Sequence, residues 1–118
     1  MNKILDRLYV GEVREVQNRE PLMREGIMFP IDVRTQFDKK QNPLPTIWDF
    51  AWGIMDLMER GKVFIHCHGG IDRSPFIATM VVKLYHGITW EEAWDIVSKA
   101  RPQALHHDDW ERMVENFE

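Results

Sequence analysis

The segment spanning residues 62–86 limits the possible folds more than any other part of the sequence. The apolar run Val63–Ile65 leads into a loop with two adjacent glycines, and a long apolar stretch follows over Phe76–Tyr85. A short continuous apolar run is typical of a central strand that is covered on both faces. Pro75 stands where a helix can begin, because proline is tolerated in the first helical turn. The order strand, short loop, helix therefore predicts an α/β fold with a small central, mostly parallel sheet flanked by helices.

The other predicted elements are short and are separated by single glycine and proline residues. Strands are predicted over Leu8–Val10 and Met28–Val33, where apolar residues dominate. A helix is predicted over Pro21–Glu25, because proline at its start and Gly26 after its end match the usual asymmetry of helix ends. Residues 34–45 are predicted to form a polar loop.

Three further helices are predicted from their N-terminal residues. A threonine followed three residues later by an acidic residue can form a capping box, in which each side chain accepts a hydrogen bond from the other residue's backbone N–H. The predicted starts are Thr46 with Asp49, Thr89 with Glu92, and Asp108 or Asp109. Gly61 and Pro102 are predicted to end the first two of these helices.

The length and charge of the chain narrow the class of protein. With 118 residues, we expect a single domain over 1–118, because a second cofactor-binding domain of ordinary size does not fit. The composition, 44% hydrophobic and 29% charged, is that of a globular protein and is compatible with a monomer. A formal net charge of −4 argues against general nucleic-acid binding and against coating of an anionic membrane.

Cysteine usage and the N-terminal sequence bear on the cellular compartment. Cys67 is the one cysteine, which excludes an intramolecular disulfide and a thiolate-rich metal site built from this chain. The first eleven residues mix charged with apolar side chains and lack the apolar run of a signal peptide. No stretch approaches the ~20 apolar residues of a membrane span. We therefore expect a reduced thiol and a cytoplasmic protein.

One loop carries most of the chemical information in the sequence. It reads His66-Cys67-His68-Gly69-Gly70-Ile71-Asp72-Arg73-Ser74. Between a buried strand and a helix N-terminus, so short a loop directs backbone N–H groups into one concavity, where the helix dipole adds positive potential. The glycines permit close backbone approach, and the arginine adds a planar fork for two phosphate oxygens. The expected phosphate-binding residues are His68, Gly69, Gly70, Ile71, Asp72 and Arg73.

The same positive environment predicts a reactive thiol at Cys67. The pKa of a free cysteine, about 8.5, falls to roughly 3.5–7.5 near helix N-termini and cations, which produces a thiolate at neutral pH. The Ser74 hydroxyl could donate a hydrogen bond to the sulfur and stabilise it as a leaving group. A lone cysteine is commonly an inert core residue, but a core position requires neither Gly70 nor Arg73 in register with it.

This loop resembles the signature of cysteine-dependent protein tyrosine and dual-specificity phosphatases. Their pattern is His-Cys, two residues, Gly, two residues, Arg, then Ser or Thr, and every defined position of it is filled here. The resemblance extends loosely to Leu8–Gly11, which is similar to the first strand of compact members, and to Glu92–Pro102, which is similar to their helix after the loop. It implies hydrolysis of phosphorylated proteins through a phosphocysteine intermediate at Cys67, with Arg73 binding phosphate and no metal or other cofactor.

The resemblance also implies a general acid on a loop ahead of the helix that leads to the nucleophile strand. Asp38 occupies that place and is predicted to protonate the leaving oxygen. Asp32 is a rival, although a structural pair with Arg34 explains it equally well. Asp49 is better explained as a residue of the first helical turn. Asp72, inside the loop, is the third rival.

Several other functions use similar parts. An acidic residue at the position of Asp72 resembles myotubularin-type and Sac-type phosphoinositide phosphatases, so a lipid substrate is the main alternative. An RNA 5′-phosphatase and a non-catalytic module that binds phosphorylated partners are further alternatives. The strand Ile31–Arg34 is similar to one in rhodanese-like sulfurtransferases, but their active loop lacks the Arg-Ser end found here.

Metal binding is not favoured at either histidine-containing segment. Adjacent residues on an extended chain point to opposite faces, so His66, Cys67 and His68 cannot converge on one ion. The segment His106–Asp109 is explained more simply as a polar turn that caps the last helix. We therefore predict no metal site.

Overall fold

The computed structural model of the chain describes residues 1–33, 44–69, 73–106 and 108–117. A four-stranded sheet with the order β1-β2-β4-β3 lies at its centre. The strands are β1 Asn2–Leu5, β2 Leu8–Glu12, β3 Ile27–Asp32 and β4 Lys62–Cys67. Strand β4 pairs in parallel with β2 and with β3, whereas β1 is an antiparallel edge strand beside β2. The predicted small, mostly parallel sheet is confirmed.

The described helices flank this sheet, and two of them are followed directly by a glycine. They are α1 Val13–Gln17, α2 Arg19–Glu25, α3 Leu44–Met58, α4 Arg73–His86, α5 Trp90–Ala100 and α6 Asp108–Phe117. Gly26 and Gly87 follow α2 and α4 with φ values of +75° and +64°, a left-handed conformation that favours glycine. None of the described helices has the length and apolarity needed to cross a membrane.

The central strand β4 is covered on both faces, as its apolar sequence predicts. Val63, Phe64 and Ile65 have no exposed surface. Val63 and Ile65 belong to the main core together with residues of α3, α4 and α5, while Phe64 packs on the other face with Leu22 of α2. Because side chains alternate along a strand, Cys67 falls on the same face as Ile65, toward α4.

Several helix starts differ from the sequence predictions, and α2 begins at Arg19 instead of at the predicted Pro21. Helix α3 begins at Leu44, so Thr46 lies inside the helix rather than before it, and the last two residues of the polar loop predicted over 34–45 are helical. The rest of that predicted loop, residues 34–43, lies outside the described residues. Pro45 falls in the first turn, where its missing N–H costs no hydrogen bond. Helix α6 begins at Asp108, which is therefore a helical residue.

The capping box at α5 is confirmed in detail, and two elements were not predicted. The Glu92 N–H donates to Thr89 Oγ1 at 3.1 Å, and the Thr89 N–H donates to Glu92 Oε1 at 3.3 Å. Helix α1 occupies a stretch too polar for a prediction. Strand β1 is short, and of its residues only Ile4 is buried, so its sequence carries little strand pattern.

Candidate active site

Cys67 lies at the point where three parallel strands end. It is the last residue of β4, and its register partner is Glu12, the last residue of β2. On the other side, Asp32 at the end of β3 pairs in register with His66. Ligands of open α/β sheets bind in the crevice outside the carboxyl ends of the strands. The topology thus places the predicted nucleophile at the edge of the sheet where such a site forms.

The structure brings Cys67 and Ser74 into contact. Sγ of Cys67 lies 3.3 Å from Oγ of Ser74, and both residues are buried. Ser74 is held because α4 starts at Arg73 and runs as a continuous buried segment from Ser74 to Val82. The thiol therefore faces the first turn of a 14-residue helix, whose dipole favours a negative charge at that end.

Arg73 is half-buried and begins α4, which places it beside the contact between the thiol and the hydroxyl.

The described part of the loop is anchored through its backbone. The carbonyl of His68 accepts a hydrogen bond from the N–H of Val13, at 3.2 Å, while the His68 side chain is exposed. Gly70, Ile71 and Asp72 lie outside the described residues, so their predicted phosphate contacts stay predictions.

Arg101 also reaches this loop, although the sequence assigned it no role. It directly follows α5 and is only 2% exposed. Its Nη2 donates to the carbonyl of Gly69 at 3.3 Å, and its Nη1 donates to Oδ1 of Asn2 at 2.6 Å. Arginine at a helix C-terminus is usually a solvated surface residue, and only the adjacent Pro102 marked this position in the sequence.

The charges around Arg101 oppose the effect of its burial. Burial lowers the pKa of the Arg101 guanidinium from its ordinary value, whereas Glu15, Glu12 and Cys67 act to raise it. Since an arginine remains protonated at neutral pH, the site contains a buried positive charge that is attracted to the nucleophile position.

The predicted general acid, Asp38, lies outside the described residues, and so do its rival Asp72 and Arg34. Asp32 is described, is half-buried and ends β3 one strand away from Cys67. Asp49 is exposed on α3 and lies in its second turn, so the explanation as a capping partner of Thr46 is wrong. The acid assignment therefore stays a prediction.

A separate cluster of one histidine and two carboxylates lies at the start of helix α6. Nδ1 of His106 lies 3.0 Å from Oδ1 of Asp108, and Nε2 lies 2.7 Å from Oε2 of Glu111. The ligand atoms are within 4.8 Å of one another, which is compatible with a metal ion. However, the carboxylates lie at opposite nitrogens of one imidazole, whereas a chelated ion needs donors on one side. The contacts pair the His106 imidazole with two acidic side chains of the first turn of α6, so Asp108 is a helical residue and not the predicted cap.

The fold and the Cys67 loop together define a class of protein. The structure of human DUSP28 matches this chain with a TM-score of 0.88 and 18% sequence identity, covering 99% of this chain and 94% of that one. The chain therefore has the fold of the dual-specificity phosphatases. No known family model matches the sequence.

Individual relatives extend this similarity to the sequence. The chain is 22% identical to dual specificity protein phosphatase 1B of Arabidopsis thaliana over 136 residues, covering 100% of this chain and 81% of that protein. It is 23% identical to dual specificity protein phosphatase 15 of Mus musculus over 140 residues, covering 99% of this chain and 57% of that protein. The chain thus spans less than two thirds of the mouse relative. The resemblance predicted from the loop is confirmed: the chain is similar to compact dual-specificity phosphatases along its whole length.

Proposed function

We propose that this protein is a phosphomonoester hydrolase that removes phosphate from phosphotyrosine and from phosphoserine or phosphothreonine in proteins. The observation that supports it most directly is the 3.3 Å contact between Cys67 Sγ and Ser74 Oγ at the N-terminus of α4. An inert core cysteine needs no hydroxyl beside it and no loop that leads to an arginine. The names of the relatives point to the same substrates.

In the first step the Cys67 thiolate attacks phosphorus in line with the ester oxygen. The S–P bond forms while the P–O bond breaks, and Asp38 gives its proton to the departing oxygen. The guanidinium of Arg73 and the loop amides bind the other phosphate oxygens, which carry the developing charge. The products are the dephosphorylated side chain and a phosphocysteine.

In the second step water attacks the phosphocysteine. The Asp38 carboxylate accepts a proton from the water, the P–O bond forms, and the S–P bond breaks to release phosphate and the thiolate. Ser74 donates its hydrogen bond to the departing sulfur, so its position stabilises the leaving group. This scheme uses side chains and backbone amides alone.

The central experiment is hydrolysis of a chromogenic aryl phosphate with a chelator present. We expect activity in the wild type, no change on chelation and loss of turnover in Cys67→Ser, because the serine hydroxyl is not ionised at neutral pH. The matched control is Ser98→Ala on α5, where the hydroxyl donates to the backbone carbonyl of Asp95, and it should leave the rate unchanged. Activity that survives Cys67→Ser, or that vanishes on chelation, contradicts the mechanism.

Substrate class is tested on the same preparations. Phosphotyrosine and phosphothreonine peptides should be hydrolysed with higher kcat/KM than phosphoinositides or 5′-triphosphate RNA. A clear preference for the lipids would instead favour the phosphoinositide phosphatase indicated by Asp72. Binding of phosphopeptide without turnover by the wild type would indicate a non-catalytic module.

A further inference from the structure

Arg101 connects three separate parts of the chain to the candidate site. It follows α5, and its backbone N–H donates to the carbonyl of Val97 at 2.8 Å, which holds it to the end of that helix. Its side chain reaches Asn2 on the edge strand β1 and Gly69 in the loop after β4. A side chain that is 2% exposed and bonded at two nitrogens has little freedom to reorient.

The hydrogen bond from Arg101 to the Gly69 carbonyl constrains the loop close to the predicted nucleophile. Gly69 is the second residue after Cys67, in a segment that must turn from a strand into a helix within five residues. Because the peptide group is planar, a carbonyl held in one direction also sets the direction of the N–H on the same peptide. The loop is expected to bind phosphate through its N–H groups, so their directions decide its affinity.

The surroundings of Arg101 are acidic and are themselves ordered. Oε1 of Glu15 accepts a hydrogen bond from the N–H of Glu12, at 2.8 Å, and Glu12 forms an ion pair with Arg14. The attraction of Arg101 to Glu15, Glu12 and Cys67 offsets part of the cost of burying its charge. The Met1 ammonium pairs with Oε2 of Glu15 at 2.6 Å. Besides that ammonium, the described charged and titratable groups around the thiol and Arg101 are Glu12, Glu15, Asp32, His66, His68, Arg73 and Arg101.

We propose that Arg101 is a positioning residue for the phosphatase reaction: it holds the phosphate-binding loop through the Gly69 carbonyl and adds a buried positive charge that favours the Cys67 thiolate. The inference rests on the proposed function, but its electrostatic part concerns a property of the thiol that exists without any substrate. Arg101 contacts the loop at the Gly69 carbonyl, whereas Arg73 is the first residue of the helix that follows the loop.

The test separates the charge of Arg101 from its hydrogen bonds with Arg101→Gln and Arg101→Lys. The pH dependence of Cys67 alkylation by iodoacetamide reports the pKa of the thiol. The value of kcat/KM for an aryl phosphate reports how well the loop is positioned to bind the reacting phosphate. In Arg101→Gln we expect the alkylation midpoint to rise by about half a pH unit to one unit. We also expect kcat/KM to fall about ten- to one-hundredfold, the size of a lost charged hydrogen bond.

Arg101→Lys should keep the alkylation midpoint near the wild-type value, because it keeps the charge. It should recover only part of kcat/KM, because an ammonium cannot span Asn2 and Gly69 as a planar fork does. Asn2→Ala, which removes the anchor and keeps the guanidinium, should lower kcat/KM severalfold. The matched control is Arg60→Lys, an exposed arginine that follows α3 and is paired with Asp56, and it should change neither quantity.

The outcomes distinguish the inference from the proposed function. If Arg101→Gln folds but leaves both the midpoint and kcat/KM unchanged, the inference is wrong. A lowered melting temperature with an unchanged alkylation midpoint in both variants would also overturn it, because the role would then be structural. A further outcome is a wild type that hydrolyses no phosphoester, while the midpoint of Cys67 alkylation is higher in Arg101→Gln and not in Arg101→Lys. In that case the electrostatic role stands and the proposed function fails.

Discussion

At the scale of single residues, the contacts around the candidate site differ in how far apart their partners lie in the chain. Cys67 and Ser74 are seven positions apart, and their contact follows from one strand, one loop and one helix start. Arg101 meets Gly69 from 32 positions away and Asn2 from 99 positions away. The first contact was predictable from the loop sequence, and the second was not.

Replacing Ser74 tests the first contact. In Ser74→Ala the departing thiolate loses a hydrogen-bond donor, so breakdown of the phosphocysteine should slow about ten- to one-hundredfold. The measurement is a rapid-quench burst with an aryl phosphate: the burst should persist while the steady-state rate falls. An equal loss in burst rate and steady-state rate would mean that Ser74 acts in the first step.

Replacing the acid candidates tests the assignment of Asp38. Asp38→Asn should slow hydrolysis by roughly 10²–10⁴ for substrates with poor leaving groups, and much less for those whose leaving oxygen needs no proton. The rate profile should also lose the limb that reports a protonated acid. Asp32→Asn and Asp72→Asn are the matched comparisons, and the role belongs to whichever of the three produces this leaving-group dependence.

At the scale of elements, capping residues and apolar runs predicted helices and strands better than polar segments did. The run Val63–Ile65 predicted the central strand, and the pair Thr89 and Glu92 predicted the start of α5, because both are local patterns with one dominant structural solution. The pair Thr46 and Asp49 has the same spacing but lies inside α3. In α3, Pro45 is the second helical residue, and a proline in the first turn marked the start of this helix better than the threonine did.

The cap of α5 provides a prediction about stability alone. Thr89→Ala removes an acceptor from the Glu92 N–H and should lower the free energy of unfolding by about 1 kcal/mol. Since Arg101 lies at the opposite end of the helix, kcat/KM at 25 °C should stay unchanged. Guanidinium unfolding measures the first quantity. A loss of activity without a loss of stability would show that the cap affects the site.

At the scale of the whole molecule, the sheet order decides which chain segments meet. Strand β4 lies between β2 and β3, so residues distant in sequence, Glu12 and Asp32, end beside the Cys67 loop. Parallel pairing of all three strands brings their carboxyl ends to one edge. A short α/β chain thus brings the ends of three strands, the start of α4 and, through Arg101, the end of α5 to one edge of the sheet.

The sequence by itself determined the α/β class, the central strand and the meeting of Cys67 with Ser74, because each depends on neighbours within a few residues along the chain. The tertiary structure alone decided that strand β1 exists, that Arg101 is buried and that its guanidinium joins Asn2 to Gly69. Hydrogen bonds between positions so far apart leave no periodic or local pattern. They form only when the sheet and α5 have brought their partners together.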